Sequence, residues 1–205
     1  AVRQFFTDSI RDYRIKQGIG VVARFSPQTY NDAIWFSRLG NGSIGGKARG
    51  LAFMNHILQQ YNLYSEWEGV RVMVPRTLVI TTEYFDRFII ENGLQYVINA
   101  DLSDAEILSE FVASSLPQEL MDSLRVFIHN VKKPLAVRSS SKLEDSYYQP
   151  FAGIYSTYMI PHTENEDQQL RLLSKAIKSV YASVYFTSSR AYITATANVI
   201  SEEKM

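Results

Sequence analysis

Apolar positions recur along the chain with periods that change from segment to segment. Phe5, Phe6, Ile10 and Tyr13 fall at near-helical spacing, and the looser run Ala33-Ile34-Trp35-Phe36 follows. Residues 1–36 are therefore expected to form a lead-in helix and connector. From Ala48 onward Leu51, Met54, Leu58 and Tyr61 step by three, four and three, which predicts a helix with Lys47 at its N-terminus. Val70 to Val74 and Leu78 to Thr82 are β-rich runs separated by Pro75, and Glu83 to Glu91 reads as a helix stopped by Asn92-Gly93.

Ser103-Asp104-Ala105-Glu106 is a capping box, opening a helix expected to reach about Ser115, and Pro117 suits the first turn of another. Pro134 to Val137 predicts a short strand running into Arg138, and Ile154 to Ile160 a second, with the polar loop Ser141 to Ala152 between them. Leu170, Leu173, Ile177, Val180 and Val184 step by three, four, three and four, the mark of a long amphipathic helix. No internal repeat or low-complexity stretch interrupts the series.

Composition adds limits. The 205 residues are 46% hydrophobic and 20% charged, an ordinary globular balance far from that of disordered chains. Lys plus Arg (21) equals Asp plus Glu (21), so no global positive field draws the chain to nucleic acid or a membrane surface. The absence of cysteine excludes disulfides, a thiol nucleophile and thiolate metal sites. No apolar run approaches the roughly 18 to 20 residues of a membrane span, and the N-terminus lacks a signal-peptide layout. A soluble, cytoplasmic protein is expected. The start at Ala1 and the stop straight after the apolar Ala197 to Ile200 read as a fragment of something longer.

Two constellations carry candidate chemistry. Residues 40–50 read Gly-Asn-Gly-Ser-Ile-Gly-Gly-Lys-Ala-Arg-Gly, glycine-dense enough to fold closely around an anion, with N–H groups at the following helix start. The Walker pattern fails, because position 41 is Asn and position 48 is Ala. Gly40, Gly42 and Gly45 satisfy G-x-G-x-x-G, but the lead-in shows no clear strand, and Glu66 and Glu68, the later acids, lie in a polar loop. On this run alone, a helix-start loop with a solvated lysine is the stronger reading.

The second constellation is Leu135-Ala-Val-Arg-Ser-Ser-Ser-Lys-Leu-Glu-Asp-Ser followed by Phe151-Ala-Gly-Ile-Tyr-Ser-Thr-Tyr. An arginine at a strand end is held rigidly, and its planar fork suits a terminal phosphate. Ser139 and the backbone around Gly153 would complete a cradle, with the intervening loop closing over the ligand. A structural ion pair of Arg138 with Glu144 or Asp145 explains the same residues equally well. Glu144 and Asp145, adjacent in a loop, do not make an acid–base pair. His56, His129 and His162 show no metal or triad spacing; the first two fall in expected helices and the third in a turn.

Taken together, these blocks resemble the phosphoenolpyruvate synthase and pyruvate phosphate dikinase family. The matching residues are Gly45-Gly46-Lys47 with Leu51, Val74-Pro75 with Val79-Ile80-Thr81-Thr82, Val137-Arg138-Ser139-Ser140 with Glu144-Asp145, and Phe151-Ala152-Gly153 with Thr157. Order and spacing agree from residue 39 to about 195. The resemblance implies an α+β fold, the N-terminal portion of an ATP-grasp-like nucleotide-binding domain with a mixed sheet and packed helices. Residues 37–205 would be its first part, ending before the second lobe.

It also implies ATP and Mg2+ as cofactors, with Lys47 and Arg138 in catalytic contact with the polyphosphate. Ser139, Gly153, Thr157 and Arg190 would be further binding residues. Arg190-Ala191 is present where the family continues into Arg-Ala-x-x-Tyr-Arg, but positions 194 and 195 are Thr and Ala. The metal ligands, the phosphorylated histidine and the pyruvate-binding domain are expected in other parts of the polypeptide. An acceptor other than pyruvate, a glucan or an antibiotic, and a non-catalytic nucleotide-sensing module are the alternatives.

Overall fold

The computed structural model describes residues 6, 7, 9, 10, 22–63, 66–141, 153–196, 200 and 203–205. The chain divides into two compact units, residues 1–39 with 48–80 and residues 40–47 with 81–205. Of the expected lead-in helix, residues 6, 7, 9 and 10 are helical; Phe5 and Tyr13 lie outside the described residues.

In the first unit, β1 (Val22–Arg24), β2 (Phe36–Leu39) and β3 (Thr77–Ile80) form a parallel sheet in that order. Phe36 aligns with both Val22 and Thr77. Central strand β2 was not expected from the sequence. Its four residues Phe-Ser-Arg-Leu do not alternate: Phe36, Ser37 and Leu39 are all buried, as in a parallel strand covered on both faces. The expected strand at Val70 to Val74 is absent: residues 70–76 have no regular structure. Pro75 can donate no ladder bond, and Val70 and Met73 are exposed while Val74 is buried, so the apolar run has one anchored end and no pairing to make it a strand. That segment is instead tied down by side chains. The Trp35 indole donates to the Val74 carbonyl, and Arg76 stacks over the Trp35 ring at 4.8 Å while donating to Tyr30 Oη and the Asp32 carbonyl, both at 2.6 Å.

Helix α1 (Gly45–Gln60) starts three residues earlier than its apolar stripe indicates. Two of the stripe's positions, Met54 and Tyr61, are exposed. Spacing reports which residues share a face; it does not report whether another element covers that face.

The second unit is mainly helical: α2 (Thr82–Glu91), α3 (Asp104–Ala113), α4 (Gln118–Asn130), α5 (Glu166–Ala182) and α6 (Thr187–Ala195). An antiparallel pair, β4 (Leu135–Arg138) and β5 (Thr157–Ile160), completes it. The described strands thus form two sheets, one parallel and one antiparallel, where a single mixed sheet was expected. Local signals here hold well. Ser103 and Glu106 form the reciprocal capping box of α3, Pro117 precedes α4, and Gly93 takes the left-handed conformation (φ 65°) after α2.

The α5 stripe Leu170, Leu173, Ile177 and Val180 is buried, as is Val184 beyond the helix end, and α5 packs on α3, α4, β4 and β5. Aromatic rings fill the centre. Phe88 lies 5.7 Å from Phe111 and 5.5 Å from Tyr181, Phe85 meets Tyr181 edge-on at 5.0 Å, and Phe111 lies 5.6 Å from Tyr185. Burial pushes the Tyr181 and Tyr185 phenols up, so both stay protonated in the core. No helix among the described residues is long and apolar enough to cross a membrane.

Arg190, on α6, donates to the carbonyls of Tyr185 (2.7 Å), Val97 (2.6 Å) and Ala100 (3.1 Å). These bonds join the start of α6 to the end of the 3-10 turn Leu94–Ile98. Replacing it with methionine keeps the stem and leaves those carbonyls without the guanidinium; a loss of about 1 to 3 kcal/mol is expected in urea unfolding. Phe88→Ala removes the ring at the centre of the cluster, fully buried in the structure. It should cost about 3 to 5 kcal/mol by the same measurement. A change below about 1 kcal/mol would show that this core is not the stabilising centre.

Candidate functional site

The glycine run folds tightly, but around its own chain. The Asn41 N–H donates to Glu83 Oε2 at 2.6 Å, the Ser43 N–H to Thr82 Oγ1 at 3.0 Å, and the Thr82 N–H back to the Ser43 carbonyl at 3.0 Å. Residues 41–43 thus dock on the first turn of α2. A Cβ on Gly42 would strike Thr82, so the close approach requires glycine. Thr82 and Glu83 thus have a physical role here as the seat of the loop.

The next step of the run meets the end of β4. Gly45 has φ 73°, and a Cβ there would overlap the Ser140 carbonyl. Around this contact the Gly46 N–H donates to the Ser141 carbonyl at 2.8 Å and Ser140 Oγ donates to the Ile44 carbonyl at 2.7 Å. The Gly45 N–H reaches Ser43 Oγ at 3.2 Å. Two N–H groups of the first turn of α1, expected to face an anion, are therefore engaged by the protein. These local caps also explain why the helix begins inside the glycine run.

Lys47 is the third residue of α1, and its Nζ donates to Ser139 Oγ at 3.2 Å. Ser139 is buried and follows Arg138 directly. Arg138 itself is exposed at the last position of β4, aligned with the exposed Thr157 across the antiparallel ladder. Side chains of directly opposed residues on one face stand within about 4.5 to 5.5 Å at Cβ. Burial alternates along both strands, so Ala136, Arg138, Thr157 and Met159 share the open face. Among the described residues no acidic side chain pairs with Arg138.

Gly153 sits in an exposed turn with φ 81°, four positions before Thr157. The fold thus joins Lys47 to Ser139 and Arg138 to Thr157, and brings Gly153 to the turn before β5. Arg190 lies elsewhere in the unit, on the carbonyls described above. Residues 142–152, which carry Glu144, Asp145, Phe151, Ala152 and most of the expected covering loop, lie outside the described residues.

The strand missing from the dinucleotide reading does exist: β2 precedes the glycine run, correcting the expectation of no clear strand. The acids do not follow. Glu66 and Glu68 are exposed in the segment before β3, so this pattern gains no ribose partner. His129 Nδ1 lies 2.8 Å from Glu166 and His162 Nε2 lies 3.8 Å from Glu164, while His56 is exposed on α1. Among the described residues no group of three His, Asp or Glu side chains could hold a metal ion.

Residues 41–205 match the family described as pyruvate phosphate dikinase, AMP/ATP-binding domain. The phosphoenolpyruvate synthase of Aeropyrum pernix is 26% identical over 170 residues, which cover 73% of this chain and 18% of that protein. This chain therefore spans under a fifth of the length of that curated relative. No solved structure matches. With the family match running through the glycine run, the Arg138 block and the whole helical unit, the chain belongs to the pyruvate phosphate dikinase AMP/ATP-binding domain family.

Proposed function

We propose that this chain is the ATP-binding front part of a phosphoenolpyruvate synthase-like phosphotransferase, with Lys47 and Arg138 holding the polyphosphate. The observation that carries this reading is the placement of the two cations. The Lys47 ammonium is fixed on Ser139, and the next residue back, Arg138, extends onto the open β4–β5 face beside Thr157.

A lysine supplies a compact charge and an arginine a planar fork, so together they suit a chain of phosphates. Both are anchored on regular elements, α1 and β4, whose ends are held together by the Gly45–Ser140 contact. Charge spreading over a transferred phosphoryl group is stabilised by donors held in advance, and the Lys47 ammonium, hydrogen-bonded to Ser139, supports such a role. Ser139, Gly153 and Thr157 complete the phosphate contacts. Arg190, expected as a further phosphate contact, donates instead to the carbonyls of Tyr185, Val97 and Ala100 and is left out of this site.

In this reading an ATP-grasp-like second lobe, the Mg2+ ligands, the histidine that takes the phosphoryl group and the pyruvate site belong to other parts of the polypeptide. When bound, the metal would supply charge neutralisation at the phosphates; the residues of this chain hold and orient them.

Lys47→Ala and Arg138→Ala in the intact protein should each lower kcat/KM for ATP-dependent phosphoryl transfer by about tenfold or more, the scale of a lost charge-assisted hydrogen bond. Melting temperatures should move little. Near-normal transfer in both variants ends the assignment. Residues 1–205 produced alone should show no ATP turnover and weak or undetectable ATP binding by calorimetry. Robust hydrolysis by that piece would place the missing machinery within it.

A further inference from the structure

The ladder pair Arg138–Thr157 is the last of the β4–β5 sheet on the side of the candidate site. Terminal pairs of a short ladder open most readily, so something beyond strand pairing must fix this one if it is to present two side chains to a ligand. The segment just before β5 supplies it. Tyr155 is buried, and its hydroxyl donates to Glu203 Oε1 at 2.6 Å across 48 positions of sequence. Glu203 is itself only 2% exposed. The adjoining Ser156 N–H donates to Ser183 Oγ at 3.3 Å, which ties the same segment to the turn after α5.

Glu203 is in turn held on both sides. Its N–H donates to the Ile200 carbonyl at 3.2 Å, and the neighbouring Lys204 pairs with Asp86 on α2 at 2.7 Å. A carboxyl group taken out of water is costly unless it is hydrogen-bonded, and an apolar residue would fill the same space without that cost. What the apolar residue would lack is direction. The short bond sets where the Tyr155 side chain turns inward, and therefore where the chain emerges to begin β5 with Thr157 outward.

We infer that Glu203 is a positioning residue for nucleotide binding, acting through Tyr155 to hold Thr157 in register with Arg138. The inference rests on the reading that the Arg138–Thr157 face binds the polyphosphate of ATP. It adds a residue far along the chain from Lys47 and Arg138 to the apparatus of that site.

The test is ATP affinity, measured by calorimetry with Mg2+ on the intact protein well below each variant's melting temperature. Tyr155→Phe and Glu203→Ala should each weaken binding about tenfold, and the double variant should be no worse than the poorer single one, the signature of two residues acting through one contact. Glu203→Gln keeps a carbonyl oxygen to accept from Tyr155 and should bind ATP within about twofold of the parent. Lower melting temperature with unchanged affinity in Tyr155→Phe and Glu203→Ala would mean that the contact is structural only, and overturns the inference. If Glu203→Ala does not fold, the contrast between Tyr155→Phe and Glu203→Gln decides it. Normal ATP affinity in Arg138→Ala marks failure of the underlying site reading, and the inference falls with it.

Discussion

The contact between Gly45 and the Ser140 carbonyl leaves no room for a side chain, and the candidate site is organised around it. Two chain segments almost a hundred residues apart meet there backbone to backbone. One ends the antiparallel strand that carries Arg138, and the other starts the helix that carries Lys47. Reciprocal bonds close the junction, Gly46 N–H to the Ser141 carbonyl and Ser140 Oγ to the Ile44 carbonyl. The cost of fixing both segments is offset by satisfying polar groups that a buried helix start would otherwise leave open. Lys47 then reaches Ser139 with little further ordering of its own.

This junction recasts the glycine run. Its density suggested a backbone cradle for an anion, and the structure uses the glycines instead for close approach to Thr82 and Ser140. A ligand-binding loop and a tightly docked loop make the same demand on sequence, namely the absence of Cβ atoms. In the proposed site, what remains for a nucleotide is side-chain charge beside this junction, and the Lys47 ammonium, already held on Ser139, would need less ordering on binding.

The helical unit supports that seat from behind. The α5 stripe packs under β4 and β5, and the Phe88–Phe111–Tyr181 cluster joins α2, α3 and α5. Because the loop 41–43 sits on the first turn of α2, the same aromatic core that fixes α2 also fixes the seat of the glycine run. Arg190 and the Tyr155–Glu203 bond extend this support to the turn after Leu94–Ile98 and to the start of β5.

By itself the sequence determined the features that are local. The capping box at Ser103, the αL stop at Gly93, the stripe from Leu170 to Val184 and the strand leading into Arg138 each follow from rules that act over a few residues, and each is present. The order of blocks around Lys47 and Arg138 also gave the family. Tertiary structure decided the rest. Whether Val70 to Val74 would pair, whether Met54 and Tyr61 would be covered, and that Phe36 to Leu39 would be a central strand depend on neighbours that no local window contains. The same holds for Glu203, an ordinary surface-type residue in sequence, which gains its meaning only because the chain returns it to Tyr155. Local periodicity states which residues can act together; long-range packing and hydrogen bonding select the ones that do.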